Sequence, residues 1–140
     1  MSKFKPVTES KMVKGTVLGL IGVGLTISVA VAQMAPAKTG DTPKGKVLVN
    51  DKGMTLYVFD KDKDAPGKSV CNGACADNWP ALLASDNDKA SGDWSIVPRD
   101  DGKKMWAYKG RPLYAWKNDK AAGDTDGDGK LNGAWHIATP

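Results

Sequence analysis

Ten residues of this chain occur twice. Gly53-Met54-Thr55-Leu56-Tyr57-Val58-Phe59-Asp60-Lys61-Asp62 returns 57 positions later as Gly110-Arg111-Pro112-Leu113-Tyr114-Ala115-Trp116-Lys117-Asn118-Asp119. Both copies read Gly, two variable residues, Leu-Tyr, a small apolar residue, an aromatic, two polar residues and Asp. A tryptophan follows the shared Asp in each copy, after 17 residues at Trp79 and after 16 at Trp135. Halves of this size bury too little surface to stand alone, so the duplication predicts pseudo-twofold packing of one copy against the other.

The decamer has the period of a strand. Tyr57 and Phe59 fall on one face with Thr55, opposite Met54, Leu56 and Val58; Tyr114 and Trp116 share a face opposite Leu113 and Ala115. Apolar residues on both faces predict a strand covered on both sides, with Tyr57 and Tyr114 in equivalent half-buried positions. The closing Asp62 and Asp119 are expected to accept backbone N–H groups in the turn that ends each strand.

Residues 1–14 carry four lysines, and residues 15–32 carry no charge. A basic segment, an apolar run and Ala30-Val31-Ala32 before Gln33 form an export signal cut after Ala32; the same run, 18 residues long, is also long enough for an uncleaved N-terminal anchor. In either case the lysines stay inside and the rest of the chain goes out. No Cys follows the apolar run to accept a lipid. The whole chain is +4, but residues 33–140 hold 16 basic and 15 acidic side chains, so the basic balance belongs to the signal and gives no argument for nucleic acid. All 15 of those acids are Asp, which favours turns over long helices.

The remainder is one domain by length. Residues 33–45 lack apolar periodicity, contain two prolines and are expected to be a linker. Folding is expected from Lys46, with repeat 1 over about 46–83 and repeat 2 over about 94–139. Val47-Leu48-Val49, a turn at 50–53 and the first repeat strand form a hairpin in this reading. Asp60-Lys61-Asp62-Lys63-Asp64 alternates in sign and is expected to be a solvated loop. Trp94–Val97, Met105–Tyr108 and the second repeat strand form a meander, and Ala134–Ala138 is a last strand. A short helix is expected beside the two cysteines. The fold class is therefore mainly β: antiparallel hairpins and a meander in two pseudo-repeats.

Cys71 and Cys75 have two readings. In an exported chain a lone pair is most simply a disulfide, here closing a three-residue loop. Cys-x3-Cys also serves copper centres and copper chaperones, in which His136, the single histidine, would be the third ligand. The binuclear copper pattern wants a His and a Met just downstream, where this chain has Trp79. Calcium is the second metal to consider. Asp124, Asp126, Asp128 and Asn132 imitate a calcium loop, but its twelfth position is Trp135 instead of a bidentate acid, so any site is weak. The alternative is a glycine-rich turn whose Asp side chains bond their own backbone.

Leu-Tyr-x-aromatic-x-x-Asp twice, Ser-Val-Cys-Asn-Gly-Ala-Cys-Ala-Asp-Asn-Trp-Pro between, Gly-Arg-Pro-Leu-Tyr in the second copy and a glycine-rich loop before Trp135-His136 resemble the bacterial "secreted repeat of unknown function". The resemblance spans about residues 45–139 and implies export and a duplicated β-rich unit, with no reaction attached. No catalytic triad assembles around one histidine, and no phosphate-cradling motif is present. The expected function is an exported, envelope-associated or secreted, non-enzymatic domain without a cofactor, binding an unknown envelope or extracellular ligand. It meets the membrane only through residues 15–32 if these stay attached. The alternative is a periplasmic copper or thiol redox protein using Cys71, Cys75 and His136.

Overall fold

The structure is a computed structural model that describes residues 35–140. The signal or anchor expected at 1–32 lies outside the described residues. The order is β1 (Lys38–Thr42), β2 (Gly45–Val49), β3 (Tyr57–Phe59), a 3-10 helix (Asp60–Asp64), α1 (Ala74–Asn78), β4 (Leu83–Ala84), β5 (Trp94–Pro98), β6 (Lys104–Tyr108), β7 (Arg111–Pro112), a helical turn (Lys130–Gly133) and β8 (Trp135–Ile137). These are small antiparallel sheets with few short helices: β1–β2, β3–β8, and β5, β4 and β7 arranged about β6. Among the described residues no helix is long and apolar enough to cross a membrane.

The two repeats are interlocked. Tyr57 and Tyr114 exchange backbone bonds, Tyr57 N–H donating to Tyr114 O at 2.7 Å and Tyr114 N–H to Tyr57 O at 2.9 Å, which places the pseudo-twofold between them. From there each repeat strand pairs with the tryptophan segment of the other copy. β3 runs antiparallel to β8, with Tyr57 opposite Ile137 and Phe59 opposite Trp135. On the other side Ala115 N–H donates to Pro80 O at 2.8 Å and Lys117 N–H to Asn78 O at 3.0 Å. One step further, Ala138 N–H reaches Leu56 O at 2.9 Å and Leu82 N–H reaches Leu113 O at 2.9 Å. Neither copy satisfies its own strand, because a lone repeat would leave these buried amides and carbonyls unpaired.

Three expectations are corrected. The linker at 33–45 is too long, since Lys38–Thr42 forms β1 and pairs in full register with β2, with Ala37 buried behind it. Thr42 Oγ1 closes the turn by donating to Gly45 O at 2.9 Å, and Gly40 sits so close to Val49 that a Cβ there would lie 2.7 Å from a valine methyl. Turn chemistry and a close glycine approach make this strand without apolar periodicity. The stretch Asp60–Asp64 is a 3-10 helix, and its Asp62 is buried where a solvated loop was expected. The first hairpin is present only as the turn at 50–53, a Val49–Thr55 bridge and the bond from Leu56 N–H to Leu48 O, because β3 itself is taken by β8. The meander β5–β6–β7 forms, but its third strand stops at Pro112. Beyond it Tyr114 turns to bridge Tyr57 and Ala81.

Candidate functional site

The repeat motif is spent on the interior. Leu56, Tyr57, Leu113 and Tyr114 are all fully buried where half-burial was expected for the tyrosines, and each tyrosine finds the Asp of the other copy. Tyr57 Oη donates to Asp119 Oδ2 at 2.6 Å, and Tyr114 Oη donates to Asp62 Oδ2 at 2.6 Å. The second oxygen of each carboxylate accepts a backbone N–H, from Val70 at 2.8 Å for Asp62 and from Asp126 at 3.0 Å for Asp119. The expected backbone bonds to Asp62 and Asp119 exist, eight and seven residues along. Burial raises both carboxyls above the ordinary Asp range, against the opposing pull of the tyrosine bonds, and burial pushes both phenols far up as well. Ser69 and Arg99 complete the Tyr114 side, Arg99 Nη1 donating to Ser69 Oγ at 3.0 Å and Nη2 to Cys71 O at 3.0 Å.

The motif aromatics cross between copies in the same way. Trp79 and Trp135 stack at 3.7 Å, 4° apart, with Phe59 on the far side of Trp135 at 4.2 Å and Trp116 beyond Trp79 at 4.3 Å. Tyr57 meets Trp79 edge-on at 5.4 Å, and Tyr114 meets Trp135 edge-on at 5.1 Å. Three stacked rings, with Trp116 tilted against their end and two tyrosine edges, form the middle of the central apolar cluster. Gly127 belongs to it by its lack of a side chain. A Cβ there would lie 2.8 Å from Trp79 and 2.9 Å from Tyr57, and its N–H donates to Tyr57 Oη at 3.2 Å.

The calcium-like loop serves this core. Trp135, at the missing ligand position, is fully buried in the stack. Asp128 turns to Lys44 at 3.0 Å, and Asn132 lies in the helical turn with φ 56°. Asp119, Asp124 and Asp126 do approach one another within 4.8 Å. Asp119 is engaged by Tyr57 and the Asp126 N–H, and Asp124 Oδ2 by the N–H groups of Lys120 at 2.8 Å and Ala121 at 3.0 Å. Of the expected set, Asp124 and Asp126 gather with Asp119, whereas Asp128 is drawn to Lys44.

Cys71 and Cys75 form a disulfide at the start of α1, with Cys71 buried in the central cluster. His136 stands on β8 at the surface, with Nε2 2.8 Å from Asp60 Oδ2. The Cys-Cys-His set is therefore not assembled, and the sulfurs are bonded to each other instead of being available as thiolates.

What His136 does line is a cleft of about 340 Å3. Its apolar wall is Val58, Leu113, Ile137 and Ala138, and its polar rim is Asp60, Lys63, Lys109, Arg111 and His136. Asp60 is the hub of the rim. Its carboxylate lies 2.8 Å from His136, 3.5 Å from Arg111 and 3.8 Å from Lys63, and the hydrogen bond to His136 holds its carboxyl below the ordinary range. Lys109, at φ 51°, carries its ammonium over the Tyr108 ring at 5.1 Å. Arg111 lends one N–H to Phe59 O at 3.4 Å, while its Nε–H is buried with no partner. Sequence reasoning named His136 for a different role and missed Asp60, Lys63, Lys109 and Arg111. The available signal was departure from the repeat: Arg111 stands where the first copy has Met54, and His136 where it has Pro80.

These features define a class: a duplicated, disulfide-bearing β domain whose shared residues build an interlocked aromatic core. The chain belongs to the family described as "Secreted repeat of unknown function", whose model matches twice, at residues 38–83 and 95–139. The first match begins at β1, in agreement with the corrected start of the fold, and a family of secreted proteins accords with the export segment. No curated protein and no solved structure matches the chain.

Proposed function

We propose that the mature chain is an exported, non-enzymatic ligand-binding domain of the periplasm or cell surface, and that its ligand site is the cleft beside β3 and β8. The observation that carries this reading is the division of labour between residues. The shared tyrosine and aspartate side chains are consumed inside, whereas the cleft rim gathers Asp60, Arg111 and His136, where the pseudo-equivalent position has Lys117, Met54 and Pro80. Its volume falls in the range of small-molecule sites. The polar groups at its rim pair with one another and with backbone, an arrangement suited to holding a ligand more than to activating a nucleophile.

Two-dimensional NMR of the exported protein, titrated with a panel of neutral, cationic and anionic small molecules, tests the proposal. Amides of Val58, Arg111 and Ile137 should shift with at least one class, while Met54, Ala81 and Ala115 at the pseudo-equivalent place stay put. A panel that moves nothing in the cleft overturns it. Intact mass on the same material fixes the location: a chain beginning at Gln33 is freely exported, and one retaining residues 1–32 is membrane-anchored.

A further inference from the structure

We infer that the ligand of this cleft is a small amphipathic anion, a carboxylate with a short apolar tail seated on Arg111; this rests on the cleft being the ligand site. The first observation is Arg111 itself. A guanidinium presents its donors as a planar fork matched to a carboxylate. Here the protein leaves that fork underused: Nε–H is buried without an acceptor, and Nη2 has only long contacts, 3.4 Å to Phe59 O and 3.5 Å to Asp60. Nε itself is out of reach from the cleft, so the donors open to a ligand are the terminal nitrogens of this partly exposed side chain.

Charge selects the sign. Lys63, Lys109 and Arg111 face the cleft against the single carboxylate of Asp60, so the rim is net positive without counting His136. Asp60 is itself held in its ionised form by its neighbours.

The tail follows from the wall behind the charges. Leu113, Val58 and Ala138 belong to the second apolar cluster and are buried, yet each contributes atoms to the cleft lining. Ile137, partly exposed on the same wall, is the apolar surface that a tail would cover. The pseudo-equivalent position lacks the set, with Met54 for Arg111, Lys117 for Asp60 and Pro80 for His136. The cleft is thus not a by-product of duplication.

The test compares three eight-carbon probes, octanoate, octanol and octylamine, with acetate as the tail-less control, by NMR titration and calorimetry on the exported protein. Octanoate should bind in the cleft at least about tenfold more tightly than octanol, as expected for one charge-assisted pair. Octanoate affinity should fall with salt, and acetate should bind much more weakly. Arg111→Gln should reduce octanoate binding by about tenfold or more and leave octanol unchanged. Lys109→Gln, at an exposed site, should weaken octanoate about twofold to fivefold and serves if the Arg111 variant does not fold. Equal binding of octanol and octanoate in the cleft, tighter binding of octylamine, tighter binding of acetate, or a preference that survives both substitutions overturns the carboxylate assignment while leaving the cleft a ligand site. Failure of every probe in the wider panel to move the cleft removes the ligand site as well.

Discussion

The crossed tyrosine–aspartate pairs allow a test of the interlock that surface behaviour cannot mimic. Tyr57→Phe removes only a hydroxyl, but that hydroxyl donates to Asp119 at 2.6 Å and accepts from the Gly127 N–H at 3.2 Å. A hydrogen bond to a charged group contributes about 1.5–3 kcal/mol, and leaving a buried partner unpaired costs about 1–3 kcal/mol. The two overlap, so the expected loss is about 3 kcal/mol. Tyr114→Phe should cost about the same, since its hydroxyl meets both Asp62 at 2.6 Å and Ser69 at 2.7 Å.

Single losses of that size would also follow from any buried tyrosine, so the discriminating measurement is a set of double-mutant cycles in urea. Tyr57→Phe with Asp119→Ala, and Tyr114→Phe with Asp62→Ala, should show coupling of about 1.5–3 kcal/mol. The same-copy pairs, Tyr57 with Asp62 and Tyr114 with Asp119, share no side-chain bond and should be additive within about 0.5 kcal/mol. Coupling within copies and additivity between them would refute the exchanged arrangement, because each repeat would then be closing its own hydrogen bonds.

Gly127→Ala should cost about 1–3 kcal/mol by overpacking, since its Cβ would press on Trp79 and Tyr57 at under 3 Å; an unchanged urea midpoint would place the loop away from the stack. Asp62 and Asp119 have raised folded pKa values, so the stability they contribute is full below the unfolded value of 3.8 and is lost as pH rises through the raised values. The wild type should therefore gain on an Asp62→Asn/Asp119→Asn variant as pH falls toward 3.8, and a pH-independent gap between their urea midpoints would mean the carboxyls titrate normally. Calorimetry should find calcium binding no tighter than about millimolar, because Asp119 and Asp124 already accept hydrogen bonds and Trp135 fills the twelfth position; micromolar affinity would contradict that reading.

Much of the architecture was legible because duplication is visible in letters. Tyr57 and Tyr114 as equivalents, the short helix by Cys71, the disulfide, the meander and the last strand at Trp135 all follow from spacing and composition. The exchange between copies was not legible. Period-2 patterning says that a strand has two apolar faces, and it is silent on which copy supplies the neighbouring strand. Asp62 in a Lys-Asp run looks solvated for a related reason: its partner, the Tyr114 hydroxyl, lies 52 residues away in sequence. Strand β1 escaped notice because Lys-Thr-Gly-Asp-Thr carries no apolar alternation and is held by a turn and by Gly40 against Val49.

The candidate site was hidden by the very feature that revealed the fold. A repeat draws attention to what its copies share, and a pseudo-twofold core needs matched residues at matched places: Tyr57 with Tyr114, Asp62 with Asp119, Trp79 with Trp135. Substituting those positions should act on stability first, since every one is buried in contacts that cross the axis. A ligand cleft on such a scaffold has the opposite requirement. Arg111 and His136 have no counterpart in the first copy, which holds Met54 and Pro80 at those places. Arg111→Met, which copies the first repeat into the second, should therefore leave the core intact and remove the cleft's fixed guanidinium, separating the scaffold from the proposed binding role by a single residue that the duplicated sequence itself supplies.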